Sequence, residues 1–155
     1  MLLEDYSILQ DLQILVVDDQ IETCFPLTVL LQLHGAEVML ASSVKEALQA
    51  LKSNRVDVLL CDIELPGEDG YSLMRRVKTL FPNPQQRPAT VAMTALSAQE
   101  SCQRALTAGF GAYLNKPFEA NELLMALSPL LEPRVKPDWV DARPAVSMQL
   151  YEAFA

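Results

Sequence analysis

Three aspartates, a threonine and a lysine stand where apolar segments of the sequence end. The apolar run at residues 14–17 leads straight into Asp18 and Asp19, and later runs are followed by Asp62, Thr94 and, after one more residue, Lys116. Two neighbouring carboxylates at the end of a buried segment repel each other and resist losing water. The pattern therefore predicts that something beside the acidic pair compensates this cost.

Apolar runs alternate with helix-like segments five times, which is typical of an α/β fold with a parallel sheet. The runs do not alternate with polar residues, which indicates strands buried on both faces. We expect strands at residues 14–17, 38–41, 56–61, 90–93 and 112–114, and helices at residues 21–34, 44–52, 71–80, 98–108 and 119–131. Two of these helices are preceded by capping-box pairs, Ser43 with Glu46 and Ser97 with Glu100.

The carboxyl ends of parallel strands meet at one edge of a sheet, and ligands bind there where the strand order reverses. In the order 2-1-3-4-5 the first and third strands are neighbours, so Asp18, Asp19 and Asp62 should face one another. Three carboxylates in one place need a cation, and hard oxygen ligands with few protein donors suit Mg²⁺. A phosphoryl group bound to that ion needs a counter-charge and a hydrogen-bond donor, which Lys116 and Thr94 supply.

The composition is that of a single globular domain. The chain has 155 residues, 50% of them hydrophobic, and its net charge of −8 argues against a general nucleic-acid surface. The sequence shows neither a signal peptide nor an apolar stretch long enough to span a membrane, so we expect a soluble cytoplasmic protein. Cys24, Cys61 and Cys102 have no metal-binding spacing, with only His34 to assist, and are predicted to be reduced thiols.

Three segments fit this pattern less well. Pro26 falls inside the first helix and predicts a late start or a bend. The loop at residues 81–88 contains three prolines and is predicted to be extended surface chain. Residues 132–155 have no clear periodicity and are interpreted as a tail, a linker or a docking segment, with disorder over most of it as the alternative. The residues of this segment that are able to dock are Trp139, Leu150, Tyr151 and Phe154.

The order of these residues resembles the receiver domain of two-component response regulators. DIELPGEDGYSL at residues 62–73, MTALS at 93–97 and AGFGAYLNKPF at 108–118 are similar to that family's motifs. The likeness covers residues 12–131, with an extension at 1–11 and no output domain after 132. It implies a flavodoxin-like (βα)5 doubly wound fold, and LPGEDGYSLMRRV is most similar to receivers of hybrid sensor histidine kinases or stand-alone single-domain regulators.

The resemblance implies a metal-assisted phosphorylation site. Asp62 is the implied phosphoacceptor, which takes the phosphoryl group from a phosphohistidine. Mg²⁺ is implied to bind Asp19 and Asp62 directly and Asp18 mainly through water. The backbone carbonyl of Glu64 is the remaining implied protein ligand.

The resemblance also implies how phosphorylation is transmitted. Thr94 is implied to hydrogen-bond the phosphoryl oxygen, and Lys116 to pair with it, aimed by a cis bond to Pro117. As Thr94 moves inward, Tyr113 is implied to turn from exposed to buried. The surface of the fourth helix, fifth strand and fifth helix then changes shape for a partner.

The family implies the partners and leaves some properties to individual residues. A sensor histidine kinase or histidine phosphotransfer protein is the implied donor, and a downstream protein is the target, with no nucleic acid and no membrane contact. Glu64 and Leu96 flank the implied phosphoryl position and are expected to set its lifetime. Apart from self-catalysed transfer and slow autodephosphorylation, no enzyme activity is expected.

Two alternatives remain open from the sequence. An aspartyl-phosphate hydrolase would use the same aspartate, Mg²⁺ and lysine, and Glu64 stands where such enzymes have a second acid. A degenerate receiver would act as an unphosphorylated interaction module, although all five site positions are filled.

Overall fold

The computed structural model describes residues 9–95 and 99–131. Five strands alternate with five helices along these residues. The strands are β1 (Gln13–Val17), β2 (Glu37–Ala41), β3 (Val58–Asp62), β4 (Ala89–Thr94) and β5 (Ala112–Asn115). The helices are α1 (Phe25–Leu33), α2 (Val44–Ser53), α3 (Gly70–Leu80), α4 (Gln99–Ala108) and α5 (Ala120–Leu131). Each predicted strand and helix is present, and β3 begins at Val58 rather than at residue 56.

The strands form one parallel sheet in the order β2-β1-β3-β4-β5, which confirms the predicted flavodoxin-like topology. In register, Val17 at the end of β1 lies between Ala41 of β2 and Cys61 of β3. The strand order therefore reverses between β1 and β3, and the crevice expected at such a reversal opens at their carboxyl ends.

Helices cover both faces of the sheet, which explains why its strands are continuously apolar. On one face, Leu15 and Leu59 pack in a cluster with buried side chains of α2, α3 and α4. On the other face, Ile14 and Leu60 pack with α1 and α5. Because side chains alternate along a strand, successive apolar residues supply the two clusters in turn.

Helix α1 begins late, as Pro26 predicted. A 3₁₀ turn at Ile21–Cys24 precedes it, and Pro26 lies in the first turn of the helix. Proline is tolerated there because the first N–H groups of a helix have no intrahelical partner.

The helix caps agree in part with the predicted pairs. The Ser43 hydroxyl accepts a hydrogen bond from the Glu46 N–H at 3.2 Å, whereas the Glu46 carboxylate accepts from the N–H and hydroxyl of Ser42. Ser97 lies outside the described residues. Helix α3 has an additional cap, since the Asp69 carboxylate accepts from the Ser72 N–H at 2.9 Å.

The loop before β4 corrects the sequence prediction of extended chain. A 3₁₀ turn occupies Pro84–Gln86, and the Asn83 side chain caps it by accepting from the Gln85 N–H. Arg87 then donates hydrogen bonds to the carbonyl oxygens of Phe81 and Pro82. These local hydrogen bonds fold the proline-rich segment back on itself.

The first described residues belong to the folded unit. Leu9 is fully buried in the apolar cluster that also contains side chains of α1 and α5. The Asp11 N–H donates a hydrogen bond to the Gly35 carbonyl at 3.0 Å. The predicted docking residues of the segment 132–155 lie outside the part of the chain that the structure describes.

None of the described helices is both long and apolar enough to cross a membrane. Cys24, Cys61 and Cys102 are buried free thiols, as expected.

Candidate functional site

The three predicted aspartates meet at the carboxyl edge of the sheet. Asp18 and Asp19 directly follow β1, and Asp62 is the last residue of β3. One carboxylate oxygen of each lies within 4.8 Å of the others. Asp18 and Asp62 are 2% and 7% exposed, whereas Asp19 is exposed. Two of these charges are therefore withdrawn from water, and the third faces solvent.

Backbone N–H groups hold one oxygen of each buried carboxylate. The Gln20 N–H donates to Asp18 Oδ1 at 2.9 Å, and the Glu64 N–H donates to Asp62 Oδ1 at 2.8 Å. In both cases the donor is two residues after the aspartate, as in an Asx turn. The two Oδ2 atoms are thereby left to face a common partner.

That partner is Lys116, which the sequence led us to expect as a counter-charge for a phosphoryl group rather than as a direct partner of the carboxylates. Its Nζ lies 2.6 Å from Asp18 Oδ2 and 3.0 Å from Asp62 Oδ2. The lysine follows β5, and its backbone N–H donates a hydrogen bond to the Thr94 carbonyl at 2.7 Å. The peptide bond between Lys116 and Pro117 is cis, as the resemblance implied.

Burial and charge shift the pKa values of this pair. Burial raises the pKa of Asp62 above its ordinary value, despite the opposing effects of the Glu64 N–H and of Lys116. Burial alone would lower the pKa of Lys116, but its hydrogen bonds to Asp18 and Asp62 raise it overall. Lys116 is therefore charged at neutral pH. Additional positive charge at the site would lower the pKa of Asp62 again, because it favours the ionised form.

Thr94 and Tyr113 lie on the two strands beside this cluster. Thr94 ends β4, is fully buried and pairs in register with Asn115 of β5. Tyr113 is 2% exposed, so its ring is in the buried orientation. The Asn115 amide donates to the Tyr113 hydroxyl at 3.5 Å. Glu64 has an exposed side chain, and Leu96 lies outside the described residues.

The donor set fits a hard divalent cation. Three carboxylates within 4.8 Å provide oxygen ligands and an excess of negative charge. Mg²⁺ binds such oxygens through one or two carboxylates and keeps several waters. The exposed Asp19 side leaves room for those waters. The cluster of Asp18, Asp19 and Asp62 therefore fits Mg²⁺.

Cys24 is a neighbour of the site that the sequence did not indicate. Its thiol hydrogen-bonds to Asp18 and lies in a cleft of about 580 Å³ whose walls also include Leu27, Lys116 and Phe118. Burial, followed by the charge of Asp18, raises the pKa of Cys24 to about 11. The thiol is therefore protonated at neutral pH and is a poor nucleophile. No sequence signal marked it, because it reaches Asp18 only through the 3₁₀ turn.

Gly70 is the second residue whose role becomes clear only in three dimensions. A Cβ at this position would lie 2.8 Å from the Asp62 carbonyl oxygen and 2.9 Å from Ile63 Cα. Both are backbone atoms, so a side chain would displace the segment that carries Asp62. The glycine thus lets α3 begin directly against the end of β3.

We expect Gly70→Ala to lower the free energy of unfolding by roughly 1–3 kcal/mol through this overlap, as overpacked interiors do. It should also weaken any reaction of Asp62, since the carboxylate moves with its backbone. Urea denaturation measures the loss of stability, and phosphodonor labelling measures the reaction of Asp62.

Gly67→Ala is the control. A Cβ at position 67 would meet nothing within 4 Å, so the only cost is the left-handed backbone conformation (φ 78°) of that residue. The control should lose about 1 kcal/mol and react normally. A Gly70→Ala protein as stable as the unmodified chain contradicts this prediction.

Sequence comparison relates this chain to known proteins. The sequence model of the family described as response regulator receiver domain matches residues 14–128. An "Uncharacterized 14.6 kDa protein in sodA1 3'region" of Leptolyngbya boryana is 40% identical over 116 residues, or 75% of this chain and 87% of the relative. The transcriptional regulatory protein ZraR of Klebsiella oxytoca is 35% identical over 122 residues, which cover 79% of this chain and 27% of ZraR. The chain thus spans most of one relative and about a quarter of the other.

Solved structures give the same result. A receiver domain protein (CheY-like) from Methanospirillum hungatei superposes with a TM-score of 0.72 at 27% identity, covering 82% of this chain and 98% of the other. A two-component response regulator from Clostridium difficile superposes with a TM-score of 0.70 at 27% identity, covering 82% of this chain and 100% of the other.

Proposed function

This chain belongs to the response regulator receiver domain family, and from that premise we propose that it accepts a phosphoryl group on Asp62. The proposed donor is a phosphohistidine of a sensor histidine kinase or a histidine phosphotransfer protein. The observation that carries the proposal is the contact of Lys116 Nζ with both Asp62 and Asp18 inside a cluster of three carboxylates. Such an arrangement concentrates ligands for a cation and a counter-charge for an incoming anion at a single aspartate.

The proposed step is an in-line transfer to the carboxylate. An oxygen of Asp62 forms a bond to phosphorus as the bond from phosphorus to the imidazole nitrogen breaks, and the leaving histidine keeps that electron pair. Oδ1 of Asp62 is already oriented by the Glu64 N–H, so Oδ2, which faces Lys116, is the proposed nucleophile. Lys116 then pairs with the phosphoryl oxygens, and the Thr94 hydroxyl donates to one of them.

Mg²⁺, when bound, would neutralise charge on the phosphoryl oxygens during transfer. We propose Asp18, Asp19, Asp62 and the backbone carbonyl of Glu64 as its protein ligands. The protein's own task is to hold these oxygens together despite their repulsion. It does so with the two Asx-type hydrogen bonds and with Lys116.

We propose that the output surface comprises α4, β5 and α5. Phosphorylation adds nearly two negative charges beside Thr94. Thr94 and Tyr113 are on neighbouring strands, so a shift of the threonine affects the space occupied by the ring. The buried Tyr113 ring of this structure corresponds to the orientation proposed for the phosphorylated state.

Glu64 and Leu96 are proposed to tune the lifetime of the phosphoryl group. The proposed target is a protein, and the proposed location is the cytoplasm.

The proposal is tested by incubating the chain with acetyl phosphate or a phosphorylated histidine phosphotransfer protein in the presence of Mg²⁺. We expect one phosphoryl group per chain, detected by intact mass and labile as an acyl phosphate. Absence of labelling with both donors contradicts the proposal and favours an interaction module that is not phosphorylated. Steady turnover of small phosphate esters over many cycles would instead indicate a hydrolase.

Mg²⁺ is expected to stabilise the fold, because it binds the native cluster and relieves its repulsion. At a concentration 100 times its dissociation constant, the gain is about 2.7 kcal/mol by mass action. Thermal unfolding with and without EDTA measures the effect. Asp19→Asn should reduce the Mg²⁺-dependent rise in Tm, whereas Glu22→Gln, which changes another exposed acid in the following 3₁₀ turn, should not. An equal Mg²⁺ response in both variants contradicts the assignment of Asp19.

A further inference from the structure

Helix α1 presents a row of large apolar side chains to solvent. Phe25, Val29 and Leu33 are four residues apart and therefore lie along one side of the helix. Their exposed fractions are 69%, 37% and 68%. Ile21, in the preceding 3₁₀ turn, is also exposed. We call these four residues the α1 ridge.

Large exposed hydrophobic side chains are confined to one side of the described molecule. Besides the α1 ridge, the exposed large hydrophobic residues are Leu40 and Met125. Met125 belongs to α5, and Leu40 shares a strand face with Val38, which packs in the cluster formed with α1 and α5. Among the described residues of α2, α3 and α4 there are none. Single exposed apolar residues are ordinary, but a row with neighbours on the same side marks an interaction surface.

The chain itself supplies a segment that can reach this surface. It continues after Leu131, at the end of α5. Helices α1 and α5 both follow parallel strands and cover the same face of the sheet, so Leu131 and Leu33 lie toward the same end of that layer. Residues 132–145, if extended, span up to ~45 Å. Helix α1, with nine residues, is about 14 Å long. The reach is therefore ample.

The sequence of that segment matches the spacing of the ridge. Val146, Leu150 and Phe154 are four residues apart, as Phe25, Val29 and Leu33 are. In a helix, this spacing places all three on one side. Because the segment is part of the same chain, its effective concentration at the α1 ridge is in the mM range. A small contact, with three apolar residues from the segment and three from the ridge, can form at such a concentration.

We propose that residues 145–155 pack against the α1 ridge of the same chain, with Val146, Leu150 and Phe154 as the contacting residues. The ridge is thereby covered in the isolated protein. This inference is independent of phosphorylation, because neither surface includes a residue of the acidic cluster.

The test uses the full chain, labelled with ¹⁵N, and compares it with a Leu150→Asp, Phe154→Asp double variant. We expect the amides of α1 to shift and to lose protection from hydrogen exchange by about tenfold or more in the variant. The double variant Val135→Asp, Val140→Asp is the matched control, since it adds the same two charges to the chain outside the proposed contact, and α1 should be unaffected. The reciprocal variant Phe25→Ser, Leu33→Ser should shift the amides of residues 146–154.

Two outcomes would overturn the proposal. If α1 amides are the same in the unmodified chain and in the Leu150→Asp, Phe154→Asp variant, the segment does not cover the ridge. If the α1 signals depend on protein concentration and sedimentation detects a dimer, a second copy covers the ridge instead. Concentration-independent shifts in both directions support packing within one chain.

Discussion

Asp62→Asn should abolish labelling by a phosphodonor, with a loss of at least ~100-fold relative to the unmodified chain. An amide cannot replace the carboxylate nucleophile, although it keeps nearly the same shape. Its oxygen can still accept from the Glu64 N–H, which holds Asp62 Oδ1 at 2.8 Å. The variant is therefore expected to fold and to lose only the reacting group. Intact mass after incubation with acetyl phosphate and Mg²⁺ measures the result.

The matched control for this prediction is Asp57→Asn. Asp57 precedes β3 and lies at the opposite edge of the sheet, where its carboxylate accepts from the Gln13 N–H at 2.8 Å and pairs with Arg55. This substitution removes the same charge from the same chain but leaves the acidic cluster intact, so labelling should persist. If the Asp62→Asn protein is labelled as fully as the unmodified chain, another residue is the acceptor and the assignment is wrong.

The geometry of the site could be predicted because a parallel sheet converts sequence order into position. Asp18, Asp19 and Asp62 are far apart in sequence, but each stands at the carboxyl end of a strand, and β1 and β3 are neighbours. Lys116 follows β5, and its side chain is long enough to reach back to both buried carboxylates. Periodicity and strand ends were therefore sufficient to bring these residues together.

What the sequence could not predict depends on local turns and on exact distances. Cys24 reaches Asp18 because residues 21–24 form a 3₁₀ turn rather than the first turn of an α-helix. The turn at residues 84–86 forms because the Asn83 side chain supplies a hydrogen bond that competes with an extended chain. The closeness of Gly70 to the Asp62 carbonyl depends on how near α3 lies to β3. Such contacts follow from packing, which has no simple period in the sequence.

The ion pair at the centre of the site should also be important for stability. Lys116→Met is expected to lower the free energy of unfolding by about 2–4 kcal/mol at neutral pH in buffer without divalent cations. Methionine keeps much of the apolar stem but removes the charge, and so leaves Asp18 and Asp62 buried against each other. Removing one partner of a buried pair costs about 3–5 kcal/mol. Because the lysine side chain is 28% exposed, solvent screens the pair and we expect a somewhat smaller loss than in that fully buried case.

The destabilisation caused by Lys116→Met should become smaller as the pH falls. The pKa of Asp62 is raised in the native state, mainly by burial, so its ionisation opposes folding once the pH exceeds the unfolded value. Without Lys116 this opposition grows, and protonation of the carboxylate at lower pH should relieve part of it. In the unmodified chain, the raised pKa of Lys116 keeps the lysine positively charged throughout the neutral range.

Urea denaturation of Lys116→Met and of the unmodified chain at about pH 7.5 and 4.5 tests this pH dependence. Lys45→Met, which removes an exposed lysine of α2, is the control and should change little at either pH. Equal unfolding free energies for Lys116→Met and the unmodified chain at the higher pH would show that Lys116 does not compensate the buried carboxylates.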